Sequence, residues 1–332
     1  MQYVSLKAKA ACWVRGAIGT GRRYEKEAMG AVILAYHGVV EDIQYPQLER
    51  YCVPRDVFRR HIRYLQRKHA VVPLAEILDA VRTHTAIDRR WVAITMDDGL
   101  HNQATIAAEI LDEFSLPWAI AVPTRLIGGD RSIPTYELDY LLQFWTESSL
   151  SLPDGSAVAW HLLGAHQRQA VRAAIKRQLL TSVTSVMREA YLESLKATFG
   201  SERFRESFSR YGVFQLADWQ QLRDLRRAGV ELLAHGATHR PLNDTLTLSE
   251  LLVEIDAPRR HFQEFMGFEP SGFILPHGIA DARANEKIGE AGYLYCLTSR
   301  VGRVSAGADP FGLPRVDGEY TLEILRQHMA RA

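Results

Sequence analysis

Two short segments of this chain gather side chains suited to hydrolytic chemistry. The first is Ile94-Thr95-Met96-Asp97-Asp98-Gly99, where two adjacent carboxylates close an apolar run and Gly99 permits a sharp turn. The second is Val230-Glu231-Leu232-Leu233-Ala234-His235-Gly236-Ala237-Thr238-His239, again an apolar run ending in polar groups. His235 and His239 are four residues apart, which brings two imidazoles to one side if the chain turns helically after the run. Each signal is weak by itself: Asp-Asp-Gly is an ordinary polar turn, and twelve histidines make such a pair easy to find. Together they are stronger. Two histidines and one carboxylate form a common three-ligand set for a divalent metal, with a position left open for water.

The elements that would position these groups can be read from the apolar pattern. Strand-like runs recur at 31–36, 91–96, 119–124, 230–235, 272–276 and 294–298, and a seventh lies around Phe311–Val316. Runs that are apolar throughout suit strands buried on both faces, as in parallel sheets. Helical patterns alternate with them. Residues 55–69 place Val57, His61, Ile62 and Leu65 on one face; residues 104–114 follow the second run; residues 247–267 open with Thr247 and Glu250 at capping-box spacing. The alternation implies an α/β fold, and seven strands suit a distorted, incomplete (β/α) barrel better than the alternative of an open, doubly wound sheet. Ligands of such folds gather at the carboxyl ends of the strands, where both segments lie. The stretch 130–217 is far too long for a βα connection of about 2–6 residues, and it is rich in helix formers, so it reads as a helical insertion, a lid or an interface. The expected organisation is a basic helical extension over 1–30, the first part of the barrel over 31–129, the insertion, and the second part of the barrel over 218–332.

Composition narrows the partners. Forty basic against thirty-nine acidic residues give no field that would favour nucleic acid. Cys12, Cys52 and Cys296 are too scattered for a disulfide framework or a cysteine zinc site. No run reaches the ~20 apolar residues of a membrane span, and none near the N-terminus reads as a signal peptide. A cytoplasmic protein is expected. The basic N-terminal segment, with Val4, Leu6, Trp13 and Ile18, is either packed on the domain or in peripheral contact with the inner membrane face.

With Phe273-Ile274-Leu275-Pro276-His277-Gly278 added, the two segments resemble the polysaccharide deacetylases, the NodB-homology group of carbohydrate esterase family 4. Members show a strand ending in Thr-Phe-Asp-Asp-Gly, then His-Ser/Thr-x-x-His, then a Pro-aromatic-Gly turn. Tyr36-His37-Gly38, Ala291-Gly292-Tyr293 and Leu313-Pro314-Arg315-Val316 extend the likeness over most of 31–318, the insertion excepted. The resemblance implies a distorted (β/α) barrel, Asp97 as general base, and Asp98, His235 and His239 as ligands of one divalent ion, zinc by default. Departures are informative. Met96 replaces the usual Phe, and Gly236 replaces Ser or Thr, which implies a looser turn. Ile274 stands where an arginine usually orients the catalytic aspartate, which leaves Arg315 as the substitute. His277 replaces the aromatic after Pro276 and is the candidate general acid. For the family's late Leu-x-His motif only His328 is near, and it is given no role. His37, Pro276 and Gly278 are expected to face the substrate.

The activity so implied is removal of an N-acyl (acetyl) group from an amino sugar. That sugar would sit in a polysaccharide, a lipid-linked glycan or another envelope or exopolysaccharide precursor. Two other readings compete: the same site serving a deformylase or an amidase of a different small amide, and a non-catalytic carbohydrate-binding barrel, which the absence of arginine at Ile274 would suit.

Overall fold

In a computed structural model, residues 30–129, 132–318 and 320–332 are described. The basic N-terminal segment with Val4, Leu6, Trp13 and Ile18, and Cys12 with it, lies outside the described residues.

The seven runs become strands β1 (Val32–Tyr36), β5 (Trp91–Met96), β6 (Ala119–Val122), β9 (Glu231–Ala234), β10 (Gly272–Ile274), β11 (Tyr295–Val301) and β12 (Leu313–Asp317). All pair in parallel in the order β1-β12-β11-β10-β9-β6-β5, and β5 pairs back to β1, so the seven strands form a closed ring. A short strand, β4 (Ala70–Val71), hangs on the outside of β5. An open sheet is therefore excluded, and the barrel has one strand fewer than the eight of the common (β/α) form. The short strands β2 (Gly38–Val40) and β3 (Cys52–Pro54) pair with each other beside it, and β7 (Leu150–Ser151) with β8 (Ala157–Val158) forms a small antiparallel ribbon.

The apolar runs divide by parity, as a strand requires. Ile33, Ala93, Ala121, Leu233, Ile274, Leu297 and Leu313 form one buried cluster, the interior of the ring. Their neighbours Leu34, Ile94, Ile120 and Leu232 join the helices outside. There, α1 (Arg55–Lys68) contributes Phe58, Ile62 and Leu65, all fully buried. Each such side chain contributes about 1.5–3 kcal/mol by leaving water. The buried face of α1 holds the expected His61, Ile62 and Leu65, with Phe58 in the core where Val57 was expected and Val57 half-buried. Further helices are α2 (Leu74–Arg82), α3 (Ala108–Glu113, preceded by a π-turn over Gln103–Ala107), α8 (Trp219–Arg227), α9 (Leu248–Met266), α10 (Ala282–Glu290) and α11 (Leu322–Arg331). Thr247 and Glu250 make the expected reciprocal cap at the start of α9.

Between β6 and β9 lie α4 (Pro134–Gln143), α5 (Ala165–Thr181), α6 (Ser185–Phe199) and α7 (Ser201–Tyr211). They share a core of their own, with Leu138, Leu141, Trp160, Ile175, Leu192, Phe204 and Phe214 among its members. That core also takes in Val40, Leu48, Cys52, Leu100 and Leu126 from the loops after β1, β5 and β6. The helical segment is thus seated on the carboxyl ends of the barrel strands. Among the described residues, no helix is long and apolar enough to cross a membrane. Cys52 and Cys296 are buried, and neither is in a disulfide.

Candidate metal centre

β5 delivers two carboxylates in opposite directions. Asp97 continues the inward parity of Ala93 and Thr95, whereas Asp98 adopts a left-handed backbone (φ 82°) and Gly99 follows suit (φ 66°). A Cβ on Gly99 would stand 2.7 Å from Val122 Cγ1, so glycine is required both by the conformation and by the space. Gln103 fastens the turn: its side-chain amide donates to the carbonyls of Asp97 and His37, and its oxygen accepts from the Leu100 amide (2.9 Å). The turn is also bonded to the end of the helical segment, through Ala217 N to Gly99 O (2.8 Å) and His101 N to Gln215 O (2.7 Å).

Asp97 is held by Arg315 of β12 in a two-pronged pair, Nη1 to Oδ1 at 2.7 Å and Nη2 to Oδ2 at 2.8 Å. The guanidinium is anchored in turn by Nε to the Thr298 carbonyl (2.9 Å) and Nη1 to Thr95 Oγ1 (3.2 Å). β1 lies between β12 and β5 in the ring, and at this level it presents only the small Ala35, which leaves room for the guanidinium to reach across. Burial alone would raise the Asp97 carboxyl, but the Arg315 charge and its hydrogen bonds hold it below the usual carboxylate range. Position 274 plays no such part: the Ile274 side chain packs inside the barrel.

Asp98 meets the histidines. Its Oδ1 is 3.0 Å from His239 Nε2 and 3.4 Å from His235 Nε2, and the two Nε2 atoms are 3.1 Å apart. All three side chains are buried. His235 donates Nδ1–H to the Ile274 carbonyl (2.8 Å), which leaves its Nε2 lone pair directed at the cluster. Asp98 Oδ1 is a buried atom without a hydrogen-bond partner. An orphaned carboxylate oxygen among converging imidazole lone pairs is what a divalent ion would satisfy, so the donor set fits one. The second oxygen, Oδ2, accepts from the Tyr136 hydroxyl of α4, whose ring stacks on Phe214 at 4.1 Å between centroids. Burial would raise Asp98, yet His239 and His235 hold it well below the ordinary value, while burial lowers His239.

The loop from His235 to His239 is not helical, as its spacing required on the simplest reading; it bends through left-handed residues Gly236 (φ 74°) and His239 (φ 61°). Nor is it loose. A Cβ on Gly236 would lie 3.0 Å from Glu254 Oε2 and 3.3 Å from Pro276 Cγ. Glu254, buried on α9, accepts from the amides of Ala237 and Thr238 (2.9 Å each) and from the Thr238 hydroxyl. The neighbouring loop after β6 adds Arg125 N to Ala237 O at 2.8 Å.

The remaining expected residues surround this centre. His277, in a left-handed turn (φ 59°), sets its ring edge-on to His239 with centroids 4.4 Å apart. Burial, then the charges of His239 and Lys176, keep His277 well below its ordinary pKa, so the imidazole is neutral near pH 7. His37 is half-buried beside Tyr51, their centroids 5.4 Å apart. Pro276 is buried against the histidine loop. Gly278 borders a hollow of about 460 Å³ lined by Thr298, Ser299, Arg300 and Phe311. His328 meets the Tyr320 ring edge-on and stands apart from the centre. Tyr136, Gln103 and Glu254 were not singled out by the sequence. Glu254 had a signal, a lone acid on the apolar face of α9 beside Leu251 and Ile255, but Tyr136 had none.

A model described as polysaccharide deacetylase matches residues 159–296 of the chain. A search of curated proteins finds no match. Among solved structures, the fold is similar to the Streptococcus pyogenes deacetylase PplD in complex with acetate (TM-score 0.58, 12% identity, 92% of this chain and 98% of that one). It is similar to IcaB from Ammonifex degensii (TM-score 0.58, 16% identity, 92% and 98%). It is also similar to a de-N-acetylase from Aggregatibacter actinomycetemcomitans (TM-score 0.53, 16% identity, 90% and 99%). At these identities the likeness is one of fold.

Proposed function

We propose, from the match of residues 159–296 to the polysaccharide deacetylase model and from the site, that the chain is a metal-dependent hydrolase removing an N-acyl group, acetyl first, from an amino sugar of a glycan. The observation that carries this reading is the pairing of two differently equipped carboxylates. Asp98 converges with His235 and His239, and next to it Asp97 is charged, buried and aimed by Arg315. A sugar-binding barrel would have no use for that division of labour.

Asp98, His235 and His239 would hold a divalent ion, zinc being the ordinary choice for such a set, and when bound it supplies Lewis-acid polarisation of the acyl oxygen and a more acidic water. Asp97 accepts the proton of the attacking water, and Arg315 fixes both carboxylate oxygens so that one lone pair stays aimed during the transfer. The leaving nitrogen must gain a proton. The proton carried by Asp97 passes to the nitrogen, and His277, edge-on to His239, lines the cleft beside it. Tyr136 holds Asp98 by its outer oxygen, and Glu254 holds the histidine loop.

The test is elemental mass spectrometry of the purified protein with Asp98→Ala and His239→Ala variants, followed by release of acetate from N-acetylglucosamine oligomers. We expect near-stoichiometric metal in the wild type, its loss in both variants, and acetate release only from the metal-bound form. Metal bound without any acyl release from N-acetyl or N-formyl sugars would overturn the hydrolase and leave a binding protein.

A further inference from the structure

Beside the centre lies a cluster of charges that does not balance. Asp139 of α4 is fully buried, and three cations converge on it. Arg50 Nη2 and Lys176 Nζ reach its Oδ2 at 2.9 and 2.7 Å, and Arg172 Nη2 lies 3.7 Å from Oδ1 while donating to the Asp139 carbonyl (2.9 Å). Among the described residues, Asp139 is the one carboxylate ion-paired to any of the three, so two formal positive charges are left over. Arg172 is the inner member, with its Nε buried and unpartnered. Arg50 and Lys176 face outward, their side chains 24% and 16% exposed.

The cluster belongs to the cleft. Arg50 and Lys176 both stand over the ring of Tyr51, 4.8 and 5.9 Å from its centroid, and Tyr51 is 39% exposed beside His37. Tyr136, which holds Asp98, is close enough to Arg50 to act on its charge, and Lys176 acts on His277. An ion-pair staple between α4, α5 and the Arg50 loop would need one cation for one carboxylate. Excess cations in a partly dehydrated setting are costly unless something anionic arrives to meet them.

We propose that Arg50 and Lys176, with Tyr51 between them, form an anion shelf on which the substrate rests a phosphate group, so that the acylated amino sugar is a phosphorylated one. The charge count favours phosphate over carboxylate, because a phosphate monoester carries about −1.5 to −2 near pH 7 and a carboxylate −1. The proposal rests on the deacylase reading for what happens to the sugar, but not for what the shelf binds.

The experiment compares three probes on the full-length, metal-loaded protein: N-acetylglucosamine 1-phosphate, the carboxylate-bearing N-acetylmuramic acid, and neutral N,N′-diacetylchitobiose. The expected order of kcat/KM is phosphate, carboxylate, neutral, with phosphate favoured about tenfold at low salt and the preference shrinking as salt rises. The ratio of phosphate to neutral kcat/KM should fall about fivefold or more in Lys176→Gln and in Arg50→Gln, and stay at the wild-type value in Arg227→Gln on exposed α8. Should a shelf variant not fold, the salt dependence of the wild-type ratio decides. Equal or better use of the neutral sugar would overturn the shelf. So would a phosphate preference that survives both variants, because the anion would then be held by the metal alone. Carboxylate used as well as phosphate would overturn the phosphate assignment. If no probe is turned over, the deacylase reading fails, and calorimetric binding of the same three probes still decides the shelf.

Discussion

Asp97 and Asp98 are adjacent in the chain and chemically unlike, and single side chains make them so. The Arg315 pair keeps Asp97 ionised at pH values where an ordinary buried carboxyl would be protonated. Arg315→Gln removes that support, and the acid limb of the kcat/KM profile should move to higher pH, with kcat reduced about 10²-fold or more. Arg315→Lys, which keeps the charge without the fork, should move the limb less. A pH-rate profile checks both. The linkage also has a definite sign. Asp97 and Asp98 have native pKa values below their unfolded ones, so the stability they contribute is complete above the unfolded carboxylate value, about 4, and is lost as the pH falls through the lower native values. At the same scale, Tyr136→Phe keeps the stacking on Phe214 but frees Asp98 Oδ2. Metal affinity, read by chelator competition, should weaken about 10-fold or more while the melting temperature changes little.

At the scale of elements, the strands were legible because burial on both faces leaves mostly apolar runs, and the seven runs, the last of them carrying Arg315, became the seven strands of the ring. A barrel was expected from the strand count; which strands meet at its seam, β1 and β5, was not legible, since that pairing depends on stagger and twist rather than on residue type. The two chemical segments stood out because polar groups ending buried strands are conspicuous. What escaped were the supports: Tyr136 reaches Asp98 from a helix 38 residues along the chain, and nothing in its own neighbourhood marks it. The histidine loop was misjudged at Gly236 because its tightness is imposed by Glu254 of α9, a contact between elements. Glu254→Gln should therefore destabilise the protein by about 1–3 kcal/mol in urea titration, since a neutral amide cannot satisfy both loop amides and the Thr238 hydroxyl as a carboxylate does.

At the scale of the whole molecule, we propose that the helical segment between β6 and β9 acts as a wall and not as a moving lid. Its core is continuous with the loops after β1, β5 and β6, and its last residues are bonded to the Asp97–Gly99 turn. Swinging it away would expose Trp160, Phe214 and Leu138, each fully or almost fully buried. Hydrogen exchange should find α4, and α6 where Tyr191, Leu192 and Leu195 are buried, protected to the same degree as barrel helices α1 and α9. Selective rapid exchange of α4 and α6 would restore the lid.

The position of β12 adds a consequence in time. Among the described strands it is the last in the chain, it fits between β1 and β11, and it carries the arginine that meets an aspartate 218 residues earlier. At a synthesis rate of about 5–20 residues per second, Asp97 waits roughly 10–40 s on the ribosome before its partner exists. During that interval the growing chain cannot seal its ring, and the carboxylate has no reason to leave water. A prematurely terminated product would therefore lack both the strand that completes the ring and the arginine that pairs with Asp97.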